Sequence, residues 1–210
     1  MAKDQKQSVL VISVHAVDFV WRCAGTIARY AQNGSKVRVL DLTFGERGES
    51  AEVWNTRKGI TVSEVKDIRR KEAENACKIL GAELRCLDWD DHPIRINEER
   101  VLTLVDELRD FRPQIVLTHH TEDMLNPDHP LAAQAYYRAL RCAQVPGVKP
   151  DKPVLGPVNT FMFEPDQPEF CNFNPDVFID ISDVMHLKKK AMAEVASQVY
   201  LFDNYEKRAE

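Results

Sequence analysis

Two short stretches of the chain gather side chains that bind metals and move protons. The first is His15-Ala16-Val17-Asp18, and the second runs through His119, His120, Asp123, Asp128 and His129. Imidazole nitrogens with a carboxylate oxygen are what zinc accepts at catalytic sites, which keep a position open to water, whereas structural sites close all four positions with protein groups. Two His and one Asp therefore point to metal-assisted activation of water. His15, Asp18 and one downstream His would complete the set. A lone His-x-x-Asp pair is more often a hydrogen-bonded loop, so this reading needs the two stretches to meet in space. The same donors also suit iron(II) and manganese.

The elements around these stretches can make them meet. The sequence predicts a β-branched, apolar strand over 8–14, then a helix over 19–32 whose buried stripe is Val20, Ala24, Ile27, Ala28 and Ala31, closed by Asn33-Gly34. A strand over 36–43, a charged Gly-bearing loop over 45–60, an amphipathic helix over 62–80 and a strand over 83–87 follow. Next come a helix over 98–110, a strand over 114–118 that runs into His119-His120, and a helix over 129–143. A looser stretch over 144–175 holds seven prolines and is expected to line the site; a strand over 177–181 and a final helix over 183–199 end the pattern.

Apolar strands alternating with helices indicate an α/β fold, a doubly wound, mostly parallel, Rossmann-like sheet with helices on both faces. Ligand sites in such sheets lie at the carboxyl ends of the strands, where both stretches stand. No repeat or boundary divides residues 1–210, and this length falls below the roughly 250–300 residues at which cores split, so one domain is expected.

Composition narrows the function. A net charge of -5, from 28 Lys and Arg against 33 Asp and Glu, offers no basic footprint for nucleic acid. Apolar runs are strand-sized, far short of the roughly 20 residues of a membrane span. Residues 1–8 are polar, without the apolar core of a secretory leader. The five cysteines are scattered and lack a CxxC pair, which argues against a disulfide framework and for a reducing cytoplasm. The tail over 201–210 has no clear stop and leaves open a continuation of the chain.

Residues 8–48, from SVLVISVHAVDF to FGERG, resemble the opening of the PIG-L (LmbE-like) zinc-dependent de-N-acetylase superfamily, in which a strand ends in His-Pro-Asp-Asp-Glu. Asn126-Pro127-Asp128-His129 is similar to its second motif, His-Pro-Asp-His, and Arg69-x-x-Glu72 to its Arg-x-x-Glu helix. The resemblance implies metal ligation by His15, Asp18 and His129. It also exposes departures: Val17 stands where the family has its general base, Phe19 replaces the following Glu, Asn126 replaces a His, and Val195 replaces a late His ahead of Ala196-Ser197-Gln198. Amide hydrolysis needs a proton acceptor for water and a donor for the leaving amine, so the deacetylase machinery is missing while the ligands survive.

HAVDFVWR, FGERGES, DHPIRI and FEPDQPE together resemble the 4-oxalomesaconate hydratase branch, which adds water to a carbon–carbon double bond; a His there occupies the position of Asp166. Such chemistry develops charge on an enolate oxygen that zinc can stabilise, and no amine leaves. The base would come from Glu46 or Glu49, with Glu49 preferred, and Asp128 or His119 next in line. Arg22, Arg47, Arg57, Arg69 and Arg95 are candidates to hold the carboxylates of a small polycarboxylate substrate, two or three of them being functional. His92 and His119 could support the site or donate protons. Trp21, Trp54 and Trp89 read as packing, His120 as structural and His186 as inert. The expected protein is a cytoplasmic, homo-oligomeric hydratase; the rivals are a deacetylase with a recruited base and a non-catalytic metal-binding scaffold.

Overall fold

The strand that carries His15 is the middle of the sheet. In the computed structural model, which describes residues 6–209, β1 (Ser8–His15) pairs in parallel with β2 (Lys36–Thr43) on one side and β4 (Ile115–Thr118) on the other. β3 (Glu83–Cys86) and β5 (Asn159–Met162) complete an all-parallel sheet of order β3-β2-β1-β4-β5. The two-residue alternation of a strand splits β1 between two cores. Val9 and Val11 join the cluster built from α1 (Asp18–Gln32), α3 (Val62–Leu80) and α6 (Met185–Ala193). Leu10, Ile12 and Val14 join the cluster built from α4 (Glu98–Phe111) and α5 (Asp128–Ala143). Helices thus cover both faces, as the apolar strands require.

From β1 the chain steps outward to β2 and β3, then returns across the sheet to β4 and β5. The reversal lies between β1 and β4, and the crevice at such a switch point is where open α/β sheets place ligands. Local signals start the helices: Thr61 and Glu64 form a reciprocal capping box before α3, and Asn97 caps α4 by accepting from the Arg100 N–H.

Three expectations need correction. The loop over 45–60 contains a short helix, α2 (Ala51–Thr56). The expected strand over 177–181 does not form, Phe178 is exposed there, and the fifth strand is instead β5, inside the proline-rich stretch. β5 is a short edge strand with only alternate residues half-buried, so its apolar signal is weak. The final helix breaks after Ala193, passes through a 3-10 turn (Ala196–Leu201) and resumes as α7 (Phe202–Ala209). Part of the stretch read as lacking a leader, residues 1–5, lies outside the described residues. No helix among them is long and apolar enough to cross a membrane, and all five cysteines are free.

Candidate active site

At the end of β1 the backbone turns through Val17, whose φ of 74° and ψ of 0° lie in the left-handed region. A β-branched residue is rarely found there, at a cost of roughly 1–2 kcal/mol. The turn folds Asp18 back: its Oδ2 accepts the His15 N–H at 2.9 Å and lies 3.2 Å from His15 Nδ1. Asp18 also opens α1, where the positive end of the helix dipole favours a carboxylate.

The second stretch arrives from β4 and the start of α5. His129 Nε2 lies 3.5 Å from the same Asp18 oxygen, while its Nδ1 is 2.8 Å from Asp123 Oδ2. A carboxylate behind the far nitrogen is the arrangement that orients a metal-binding imidazole. His129 Nε2 itself is buried and without a hydrogen-bond partner among the described residues. One ligand atom from each of His15, Asp18 and His129 falls within 4.8 Å of the others. Burial works against charging His15, but Asp18, Asp128 and Glu49 outweigh it and lift its pKa to about 10. Such a cluster calls for a cation, and two imidazoles with one carboxylate are donors that suit a divalent transition metal.

Two other groupings have the same compactness, His15-Asp91-His92 and Asp123-His129-Asp166. Their carboxylates are already engaged. Asp91 accepts the backbone N–H of Arg47 and of Gly48, and Asp166 Oδ1 accepts from Arg22 at 2.8 Å and from the Tyr205 hydroxyl at 2.9 Å.

The loop after β2 separates the two glutamates. Gly45, with φ of 67°, has no room for a Cβ, which would come within 2.8 Å of Glu49 Cβ and 3.0 Å of His15 Cβ. A Cβ on Gly48 would overlap the His92 ring at 1.8 Å. The bared backbone lets Glu49 reach the cluster: its Oε1 is 4.0 Å from His15 Nδ1 and 3.9 Å from His92 Nε2. Amide groups of Asn126 and Gln198 each donate to one of its oxygens at 2.8 Å. Burial would raise the Glu49 pKa, yet His92 and His15 hold it below the usual value. Glu46 points elsewhere, fully buried, with its Oε1 3.5 Å from Lys66 Nζ.

Asp128 does not face open solvent as a base would. Its carboxylate accepts the N–H of His92 at 2.9 Å and of Ile94 at 3.1 Å and lies 3.4 Å from His15 Nε2, so it fixes the loop over 92–94 and the His15 ring. The His92 ring stacks parallel to that of His15, 5.4 Å between centroids. His119 supports the cluster from behind: its Nε2 accepts the Val14 N–H at 3.0 Å and lies 3.5 Å from Asp18 Oδ2, its ring packs on His129 and Phe163, and burial and His129 push its pKa well down.

The arginines also separate. Arg69 is fully buried and gives its donors to Phe44 O, Ala16 O, Ser197, Gln198 and Glu72, which corrects its assignment as a substrate ligand. Arg57 lines a surface groove with Lys58, Gly59, Ile60 and Asp67, and no contact ties it to the cluster. Arg22 holds the Glu164 carbonyl and the Asp166 carboxylate. Arg47, flanking Glu49, keeps a side chain 45 % exposed with its closest acidic partner, Asp90, 3.9 Å away. Arg95 is exposed beside the loop that Asp128 holds. Sequence reasoning missed the donors to Glu49: Asn126 read only as a lost His, and Gln198 only as a neighbour of one.

Comparison with known proteins finds relatives along most of the chain. The family model for GlcNAc-PI de-N-acetylase, PIG-L, matches residues 10–140. A 4-oxalmesaconate hydratase of Pseudomonas putida KT2440 is 43 % identical over 201 residues, 95 % of this chain and 77 % of that protein. The crystal structure of GalB, the 4-carboxy-2-hydroxymuconate hydratase of the same bacterium, superposes with a TM-score of 0.93 at 41 % identity, covering 97 % of this chain and 84 % of that one. A diacetylchitobiose deacetylase of Thermococcus kodakarensis is 28 % identical over 91 % of this chain and 70 % of its own length. With a switch-point cluster of His15, Asp18 and His129 and a family match across more than half of its length, the chain belongs to the PIG-L family.

Proposed function

We propose that this protein is a metal-dependent hydratase that adds water to an unsaturated keto-tricarboxylate of the 4-oxalomesaconate type, with Glu49 as general base. The observation that carries the reading is the Glu49 carboxylate 4.0 Å from His15 of the His15-Asp18-His129 cluster and held by two amide donors, at a site where Val17 and Phe19 leave no carboxylate at the positions that serve the deacetylases. The identity of about two fifths with the Pseudomonas putida hydratases supports it.

A divalent ion, zinc being the best match to the donors, would be held by His15, Asp18 and His129 and would supply a Lewis acid for oxygen that gains negative charge. The chain supplies the rest. Glu49 takes a proton from water, the hydroxyl bonds to the alkene carbon, and the electron pair of the double bond moves toward the conjugated carbonyl. The proton on Glu49 is then available to the neighbouring carbon, so both parts of the water end on the product. A positioned acceptor of this kind is worth roughly a hundred- to ten-thousand-fold in rate. Arg47, exposed on the same loop, would meet a substrate carboxylate with its guanidinium. Asp128 and Asp123 position His15 and His129.

The test is a pair of assays on the same metal-loaded sample. Loss of the absorbance of a conjugated keto-tricarboxylate should be rapid, and acetate release from N-acetylglucosamine conjugates should stay at background. The opposite result would assign the site to a deacetylase with Glu49 as its recruited base. Inactivity in both assays would favour a metal-binding scaffold.

A further inference from the structure

We propose that Asn126 and Gln198 are positioning residues that fix the Glu49 carboxylate in the orientation from which it accepts a proton, an inference that rests on the base role given to Glu49 above. Asn126 Nδ2 donates to Oε1 and Gln198 Nε2 to Oε2, so each carboxylate oxygen meets one amide.

The direction of each amide is set from behind. Asn126 Oδ1 accepts the backbone N–H of Asp128 at 3.3 Å. Gln198 Oε1 accepts the indole N–H of Trp21 at 3.1 Å and Arg69 Nη1 at 3.3 Å. Both side chains are buried, Asn126 at 5 % and Gln198 at 2 % exposure. Turning either amide round would set its N–H against donors and its oxygen against a carboxylate, leaving buried polar groups unpaired. Each amide can therefore show Glu49 only its N–H face.

An amide has no proton to lose in the working pH range, so these contacts remain donors throughout. Glu49 is thereby fixed in place and kept ready to accept. One position that looks like a loss beside the deacetylases becomes a support of the new base: Asn126 stands where the family has a His. Four regions converge to do this: the start of α1 through Trp21, α3 through Arg69, the loop before α5, and the 3-10 turn after α6.

Asn126→Asp and Gln198→Glu test the proposal, because each keeps the oxygen that accepts from behind and changes only the atom that faces Glu49. Both would be measured alone and on Glu49→Gln, with kcat and KM for hydration, bound metal and thermal midpoint. The expected result is a kcat lower by about tenfold or more with KM within about threefold and metal and midpoint unchanged, and no further loss on the Glu49→Gln background. An equal fold-loss in both backgrounds, or turnover lost together with metal, would show a merely structural role and overturn the inference. So would turnover within about twofold of the parent in both single variants, which would leave the base reading intact. Should Glu49→Gln alone keep turnover within a few-fold, the base reading falls first and the inference with it.

Discussion

Two carboxylates on one loop occupy opposite environments. The pocket around Glu46 is closed: it offers Lys66 at 3.5 Å, but that ammonium turns to Asp88 at 2.8 Å and Asp90 at 3.2 Å, and neither Glu46 oxygen has a hydrogen-bond partner among the described residues. The pocket around Glu49 supplies two amide donors and two histidines. Burial raises the pKa of Glu46, with Asp91 adding to it and Lys66 opposing, whereas the neighbours of Glu49 reverse the effect of burial and lower its pKa. Hydrogen bonds rather than place on the loop decide which carboxylate can serve as a base.

The sharpest way to break this contrast is to neutralise each side. Glu49→Gln should lose on the order of a hundredfold or more in kcat with metal retained, while Glu46→Gln stays within about threefold. Equal losses, read by steady-state kinetics, would erase the distinction between the pockets. The next comparison falls on the candidate metal cluster and the carboxylate behind it. Asp123→Asn should weaken metal affinity about ten- to a hundredfold by freeing the His129 ring, and His129→Ala should abolish the site, both measured by competition with a chromogenic chelator. Full occupancy in His129→Ala would remove that residue from the coordination shell.

Arg47→Ala should raise KM by about tenfold with kcat little changed, the signature of uniform binding lost. An unchanged KM would leave Arg95 as the exposed alternative. The smallest effect belongs to the closed pocket. A carboxyl whose folded pKa is raised favours the folded state below its unfolded value and loses that contribution as pH rises through the folded pKa. Glu46→Gln should therefore gain up to about 1 kcal/mol near neutral pH and show a flatter stability profile over the weakly acidic range, measured by urea unfolding at several pH values. A loss of stability at neutral pH would show that the Lys66 contact outweighs burial.

Much of the architecture was legible because parallel strands buried on both faces read as unbroken apolar runs, as Val9, Leu10, Val11 and Ile12 do in β1. The C-terminal third was harder. β5 carries only Asn159–Met162 between prolines, while Val177, Phe178 and Ile179 have the look of a strand and no partner. The residues of the candidate metal cluster stood out because His and Asp at strand ends are chemically conspicuous. The roles of Arg69, His119 and Gln198 were hidden, since each depends on partners far along the chain: Arg69 reaches Ser197, His119 reaches Val14, and Gln198 reaches Glu49. Residue type shows what a side chain can do, but only tertiary contacts show whether its donors are already spent.

The switch-point sheet also bears on the order in which the molecule folds. β1 and β2 are neighbours in sequence and can pair early, bringing His15 and Asp18 with them. The pairing of β1 with β4, locked where His119 accepts from Val14, joins residues 105 apart in sequence and must meet the larger entropy of closing that loop. His129 enters with the second half, so the candidate cluster of His15, Asp18 and His129 assembles only after that closure. An ion bound by all three would favour the closed chain over every earlier species by mass action. It would act as a late clasp on folding, slowing the opening of the two halves more than it speeds their first encounter.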